Sequence, residues 1–257
     1  MTAFYIIGVA LLTFAAYRRG WLSLSGSIAA MLLGSVIAFA FGGAGLLLLG
    51  VFFVPSSLLS KLQPASADKE GSKRTAGQVL ANGGAAGAAA FGALLFPHPF
   101  WLAAAAGGLA AASSDTWASE IGRMKRQIPW HVRERKHVMP GRSGAVSKAG
   151  TLGAAYGAAF VAIAGSAVTE GSALQAFIII FAAGFLGHFI DTLAGAYVEA
   201  EYQCKACGRL VDTSVHCNQT TMRVRGFAFC TNEAVNTLCT LSGAGFALLG
   251  FWLFDLV

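Results

Sequence analysis

Several groups of residues in this sequence have the types and spacing to do chemistry. The string Ser113-Ser114-Asp115-Thr116-Trp117-Ala118-Ser119-Glu120 puts Asp115 and Ser119 on one helical face and Thr116 and Glu120 on another. Asp115 and Glu120 are five apart, about 140° around a regular helix. They can meet one ion only if the helix breaks or a neighbouring segment contributes. Hard oxygen ligands near a phosphate suit Mg²⁺, which needs only one or two carboxylates beside substrate oxygens. His188, Asp191, Gly195 and Glu199 follow at spacings of three, four and four, again on one face. Asn232 and Asn236 stack at i,i+4, with Glu233 between them. Glu233 is a further candidate acid, or simply a favourable charge at a helix N-terminus.

Cationic and amide groups accompany the acids. Arg74, Gln78 and Asn82 form one stripe at a spacing of four. The stripe could hydrogen-bond a phosphate or a base, or serve as glue between helices. The stretch 123–148 carries eight Lys/Arg against one acid, Glu134, and ends in PGRSGAVSKAG. There Arg142, Ser143, Ser147 and Lys148 meet the N–H groups of a predicted helix start, which makes an anion site. No Gly-Lys-Ser/Thr is present, so this is not a Walker A loop. The whole loop also reads as a polybasic segment lying on anionic lipid. Finally, Cys204-x-x-Cys207 and His216-Cys217 could hold a structural Zn²⁺, or be free thiols in a polar loop. Cys230 and Cys239 read as apolar fillers.

These residues need elements to position them. The chain has 257 residues, of which 56% are hydrophobic and 12% charged, with a mean hydropathy of +0.63. A soluble domain carries about 25% charged residues. A cytosolic globule and a disordered chain are both excluded, and a polytopic, all-α membrane protein is expected as one integral membrane domain. Eight apolar segments fall at roughly 3–17, 22–42, 44–60, 76–96, 99–120, 146–168, 173–199 and 232–254. The first has no basic residues before it, so a cleaved signal peptide is not expected.

All 18 Lys and Arg residues lie in or beside the connections after the odd-numbered segments. Arg18 and Arg19 follow the first; Lys61, Lys69, Lys73 and Arg74 the third; the group from Arg123 to Lys148 the fifth; Lys205, Arg209, Arg223 and Arg225 the seventh. The positive-inside rule puts these connections in the cytoplasm and both termini outside. It also accounts for the net charge of +6 without nucleic acid. Only Glu170 and Asp255 fall outside, while Asp115, Glu120, Asp191, Glu199 and Glu233 gather at the cytoplasmic margin. Acids at a membrane edge are costly and mark function by default, although each alone could snorkel. Gly83-x-x-x-Gly87 and Gly153-x-x-x-Gly157 read as close helix packing.

A repeat is also legible. SKRTAGQVLANGG from Ser72 resembles SKAGTLGAAYG from Ser147, and an Asp-Thr pair follows each at a similar distance. Segments 4–5 and 6–7 would then be two copies related by an axis along the membrane normal, with Asp115 and Asp191 at equivalent depths.

In this order, SKRTAGQVLANGG, SDTWASEIG, GRSGAVSKAGTLG, GHFIDTLAGA and NEAVN resemble the transmembrane protein 19 family, which includes the plant phytyl-phosphate kinases. The resemblance covers roughly 70–245, leaving 1–60 as N-terminal spans and 200–226 as a cytoplasmic Cys/His loop. It implies phosphorylation of an isoprenyl monophosphate to its diphosphate by a nucleoside triphosphate. CTP is the donor that related polyprenol and phytol kinases imply. Asp115 and Glu120 would then hold the first Mg²⁺, with Asp191 and Glu233 as second-metal or base candidates. Arg74, Gln78, Asn82, Arg142, Ser143, Ser147 and Lys148 would bind phosphates, and Asn232 and Asn236 would orient substrate or metal. The acceptor is already an anion, so no strong base is needed. The alternative is a transporter or flippase of a lipid phosphate or small anion. Nothing in the sequence sets an oligomeric state.

Overall fold

The computed structural model describes residues 2–62, 73–125, 127–254 and 256. Ser72, where the first copy of the repeat begins, lies outside the described residues, as do Lys69, Arg126 and Asp255. The chain is mostly helical. Its helices are α1 (Thr2–Arg18), α2 (Leu24–Lys61), α3 (Ala76–Leu95), α4 (Phe100–Met124), α5 (Lys148–Ser166), α6 (Ala173–Tyr197) and α7 (Asn232–Leu253). Five of these, α2, α3, α5, α6 and α7, are long and apolar enough to cross a bilayer.

Helix α2 is not straight. At 38 residues it would reach about 57 Å. Yet Lys61 Nζ, at its end, donates to the Arg19 carbonyl at 2.6 Å, close to its start. The reversal is at Gly42, where φ is +56° and ψ −134°, a conformation open almost only to glycine. Just beyond it, a Cβ at Gly45 would lie 2.7 Å from the Ile37 side chain. Stretches 24–41 and 43–61 therefore form an antiparallel pair, where the sequence reading had two segments.

Helix α4 is the hub, packing against α2, α3, α5, α6 and α7. Every residue from Ala103 to Ser114 is buried. A helix buried all round sees protein rather than lipid. This explains how an Ala/Gly/Ser helix can sit at the centre of a membrane domain. Its small side chains let neighbours approach: a Cβ at Gly157 of α5 would stand 2.6 Å from the Ser113 carbonyl oxygen. Gly153 packs the same way on Trp117 and Ile121. Large apolar side chains such as Phe4, Leu32, Leu80, Phe91 and Ile163 point outward instead, as they must toward acyl chains.

The connections at the polar end are not plain loops, which the all-α expectation did not foresee. Between α4 and α5, β1 (Trp130–His131), β2 (Lys136–His137) and β3 (Ala145–Val146) form a sheet in the order β2-β1-β3. Between α6 and α7, β4 (Glu201–Gln203), β5 (Leu210–Val211) and β8 (Met222–Arg225) form another in the order β5-β4-β8. A separate two-stranded hairpin of β6 (Val215–His216) and β7 (Gln219–Thr220) lies in the same connection. These strands are two to four residues long, too short for a period-two pattern to register in sequence.

Hairpins α3–α4 and α5–α6 are the two stretches that the repeat would relate. Thr75 and Ser147 cap the first helix of each. Measured from these caps, Asp115 and Asp191 are out of step by about one helical turn.

Candidate functional site

A polar cleft of about 180 Å³ opens where α4, α6 and the start of α5 meet at the sheet-bearing end. Asp115 of α4 and Asp191 of α6 face one another across it, close enough for direct carboxyl–carboxyl interaction. His188, one turn before Asp191, approaches Asp115 Oδ1 with Nδ1 at 3.2 Å. Asp191 Oδ1 is buried and has no hydrogen-bond partner among the described residues. An oxygen so placed is costly unless something else satisfies it.

The opposite wall is the glycine- and serine-rich stretch 141–147. Gly141 and Gly144 have φ of +91° and +76°. Gly144 has a second reason to be glycine: a Cβ there would collide with the backbone of Ala196 on α6. Ser147 caps α5, its Oγ accepting from Gly150 N at 3.1 Å. Gln127 Oε1 accepts from Ala149 N at 3.1 Å, tying the other end of the connection to the same helix start. Thr151, Thr192 and Asn232 complete the rim.

Arg142, on the cleft wall, is held by ion pairs. Its Nε and Nη2 bond Glu201 at 2.6 and 2.9 Å, and Nη2 also bonds Glu134. This fork fastens the cleft loop to the α6–α7 sheet. Arg142 lines the cleft, and its partners, distant in sequence, also make it an anchor. Hydrogen bonds from Arg142, and then Lys136, hold the Glu134 carboxyl down to about 2. Glu201 also pairs with Arg225 at 3.3 Å. Arg225 in turn donates to the Ala196 and Gly195 carbonyls, closing the C-terminus of α6.

Glu199 lies just past α6, on the cleft wall. Burial pushes its carboxyl up to about 7, against hydrogen bonds from Ser143 and Asn232 that favour the charged form. Asn236 Nδ2 donates to Asn232 Oδ1 at 3.2 Å, which orients the amide that meets Glu199.

Other sequence-predicted residues fall elsewhere. Helix α4 is unbroken, so Glu120 does not join Asp115. Its Oε1 accepts from Ser60 Oγ at 2.9 Å and its Oε2 pairs with Arg123 at 3.3 Å. Of the two acids read as sharing one Mg²⁺, only Asp115 lines the cleft, and the helix between them does not break. Arg74, Gln78 and Asn82 line a different space, an apolar chamber of about 190 Å³ between α1, α2 and α3. Arg74 lies over the Phe53 ring there at 5.6 Å and within electrostatic reach of Glu120. Glu233 is against Gly77 at the start of α3 and, like the exposed Lys148, does not line the cleft. Gln127, Thr151 and Asp212 do line it and escaped the sequence reading, since a lone polar residue in a loop carries no periodic signal.

Beyond the cleft, the Cys204, Cys207, His216 and Cys217 donor atoms all lie within 4.8 Å of one another. Backbone N–H from Cys207, and then the His216 side chain, hold the Cys204 thiol down to about 6.

Helices buried on a small-residue hub, apolar side chains facing out and the basic residues of the connections gathered at one end define an integral membrane protein of the helical class. The chain belongs to the family described as Integral membrane protein DUF92, whose model matches residues 7–244. It is similar to Protein PGR of Arabidopsis thaliana, 29% identical over 93% of this chain and 92% of that one. It is also similar to Protein VTE6, chloroplastic, of the same plant, 26% identical over 89% of this chain and 65% of that one. An uncharacterized membrane protein of Methanocaldococcus jannaschii is 28% identical over 68% of this chain and 73% of its own. No solved structure matches.

Proposed function

We propose that this protein is a membrane-embedded kinase of prenyl lipid metabolism. It would transfer a phosphoryl group from a nucleoside triphosphate, CTP, to an isoprenyl or phytyl monophosphate. A terminal oxygen of the acceptor phosphate attacks the donor's γ-phosphorus. The bond to the bridging β–γ oxygen breaks, and the diphosphates of lipid and nucleoside leave. The observation that carries this reading is the meeting of Asp115 and Asp191 opposite the 141–147 loop and the start of α5. Phosphoryl transfer asks mainly for positioning and charge stabilisation. The similarity to Protein VTE6 and to the phytyl-phosphate kinase family supports the substrate class.

The buried, unpartnered Asp191 Oδ1 and the facing Asp115 carboxyl suit a hard divalent cation. Asp115 and Asp191 would hold Mg²⁺, and Glu120 would not. When bound, the ion supplies neutralisation of phosphate charge. The chain's own groups do the rest. Backbone N–H groups of the 141–144 loop bind phosphate oxygens, helped by the Thr151 hydroxyl. His188 orients Asp115, and the Asn232–Asn236 pair orients the rim.

We place the cleft at the cytoplasmic face, with eight crossings and both termini outside. The antiparallel limbs of α2, together with α1 and α4, raise five candidate spans to eight, and the basic residues of the connections support the orientation. The facing of Asp115 and Asp191 supports a common origin for α3–α4 and α5–α6. The alternative carrier reading rests on the apolar chamber with Arg74, Gln78 and Asn82 in its wall.

The test is incubation of purified protein with Mg²⁺, phytyl or geranylgeranyl monophosphate and each nucleoside triphosphate, followed by mass spectrometry. Lipid diphosphate with CTP preferred is expected. Liposome flux of the lipid phosphate without nucleotide consumption, and no product with any donor, would replace the kinase with the carrier.

A further inference from the structure

The α6–α7 connection poses a physical problem. From Lys205 to Thr221 almost every residue is exposed, and the segment encloses no apolar core of its own. It nevertheless folds into two tight turns that face each other. In the first, Gly208 N bonds the Cys204 carbonyl and Cys204 N the Arg209 carbonyl, both at 2.9 Å. This presents Cys204 and Cys207 on one side. The second is the β6–β7 hairpin, in which Cys217 and Asn218 take φ of +52° and +55°. The left-handed turn at Cys217 explains how adjacent residues His216 and Cys217 aim side chains at one point, where an extended chain would send them to opposite faces. A left-handed cysteine is strained unless its surroundings fix it. Segments this small, without a core, need a metal or a crosslink to fold.

The distances define which. His216 Nδ1 is 3.6 Å from Cys207 Sγ and 3.2 Å from Cys217 Sγ, and all four donors fall within 4.8 Å. Around a tetrahedral zinc, the usual bond lengths put sulfur and nitrogen about 3.6 Å apart and two sulfurs about 3.8 Å apart. Three thiolates and one imidazole are a soft set that suits zinc over magnesium or calcium. Four protein donors leave no open position, which is the mark of a structural centre.

We propose that Cys204, Cys207, His216 and Cys217 bind one structural Zn²⁺ that clamps the α6–α7 connection. The clamp matters beyond the loop. Cys204 directly follows β4, which carries Glu201, and Glu201 holds both Arg142 of the cleft loop and Arg225 at the end of α6. Zinc thus positions the cleft at a distance, without touching anything that reacts there. The inference is independent of the transferase reading.

The test is metal analysis of protein purified without chelator or a metal-affinity tag. About one zinc per chain is expected, and replacement by Co²⁺ should give the visible bands of a tetrahedral thiolate site. Cys207→Ser and Cys217→Ser should each lower zinc content at least tenfold, while Cys230→Ser keeps it. Chelation should expose residues 204–221 to protease in the folded, detergent-solubilised protein. Zinc well below stoichiometry, with the three thiols either freely titratable or joined by a disulfide, would overturn the proposal. An octahedral Co²⁺ spectrum would do the same, even if the variants failed to fold.

Discussion

Glu199→Gln is the perturbation whose size the structure sets most closely. Glu199 is 2% exposed, and burial moves its carboxyl from the ordinary 4.5 to about 7. At 1.36 kcal/mol per tenfold, ionising it in the folded protein costs about 3 kcal/mol relative to the unfolded chain. The sign follows from proton uptake. Below 4.5 the group is neutral in both states and costs nothing. Between 4.5 and about 7 the folded state holds the extra proton, so stability falls as pH rises, and above 7 the loss is complete. Glutamine keeps the hydrogen-bonding shape without the charge. The variant should therefore be more stable than the wild type by about 3 kcal/mol near pH 8, and by under about 1 kcal/mol near pH 5. The assay is the unfolding midpoint in detergent across pH 5–8, in buffer without added divalent cation so that none compensates the charge. Parallel pH profiles for the two proteins would refute the reasoning, because they would mean that Glu199 is ionised at no cost.

Other consequences follow from the loop and its anchors. Arg142→Ala leaves Glu201 and Glu134 short of their strongest partner and should destabilise the protein by about 3 kcal/mol in a thermal melt. Arg142→Lys should recover only part of this, since an ammonium cannot form the fork to Glu201. Removing Arg142 also frees Glu134, whose carboxyl is held near 2. Stability that the wild type keeps above about 4.5 and loses as pH falls toward 2 should then be missing from the variant at neutral pH. Gly144→Ala drives a Cβ into Ala196 and should cost about 1–3 kcal/mol while pushing the loop off α6. A rise of about tenfold or more in the KM for the nucleotide should accompany it.

Much of this was legible in the sequence because its causes are local. Charge placement and apolar length located the helices to within a few residues, and Gly42-Gly43 already divided 22–42 from 44–60. The sequence reading assigned Asp115 and Glu120 to one Mg²⁺ on condition of a helix break or a neighbouring segment, and the helix is unbroken. Asp115 and Asp191 each precede a threonine at a similar distance from a Ser-Lys pair, although measured from the helix caps they run about a turn out of step. What stayed hidden depends on distant partners. The anchoring role of Arg142 depends on Glu201, 59 residues away. The common aim of the neighbours His216 and Cys217 depends on a left-handed turn that nothing in the sequence marks. Arg74, Gln78 and Asn82 do form a stripe, but only packing shows that it lines the α1–α2 chamber rather than the cleft of Asp115 and Asp191.

The central claim is that Asp115 and Asp191 form the reacting centre of a phosphotransferase. The most direct measurement compares lipid diphosphate formation by wild type, Asp115→Asn and Glu120→Gln in Mg²⁺ and CTP, each variant shown to insert and to melt cooperatively. The account predicts a loss of at least about 10³-fold in kcat for Asp115→Asn, the scale of a lost electrostatic contact to the transition state. Glu120→Gln, outside the cleft, should retain most of its turnover. Full activity in Asp115→Asn, or its loss in Glu120→Gln with Asp115→Asn unaffected, would contradict it.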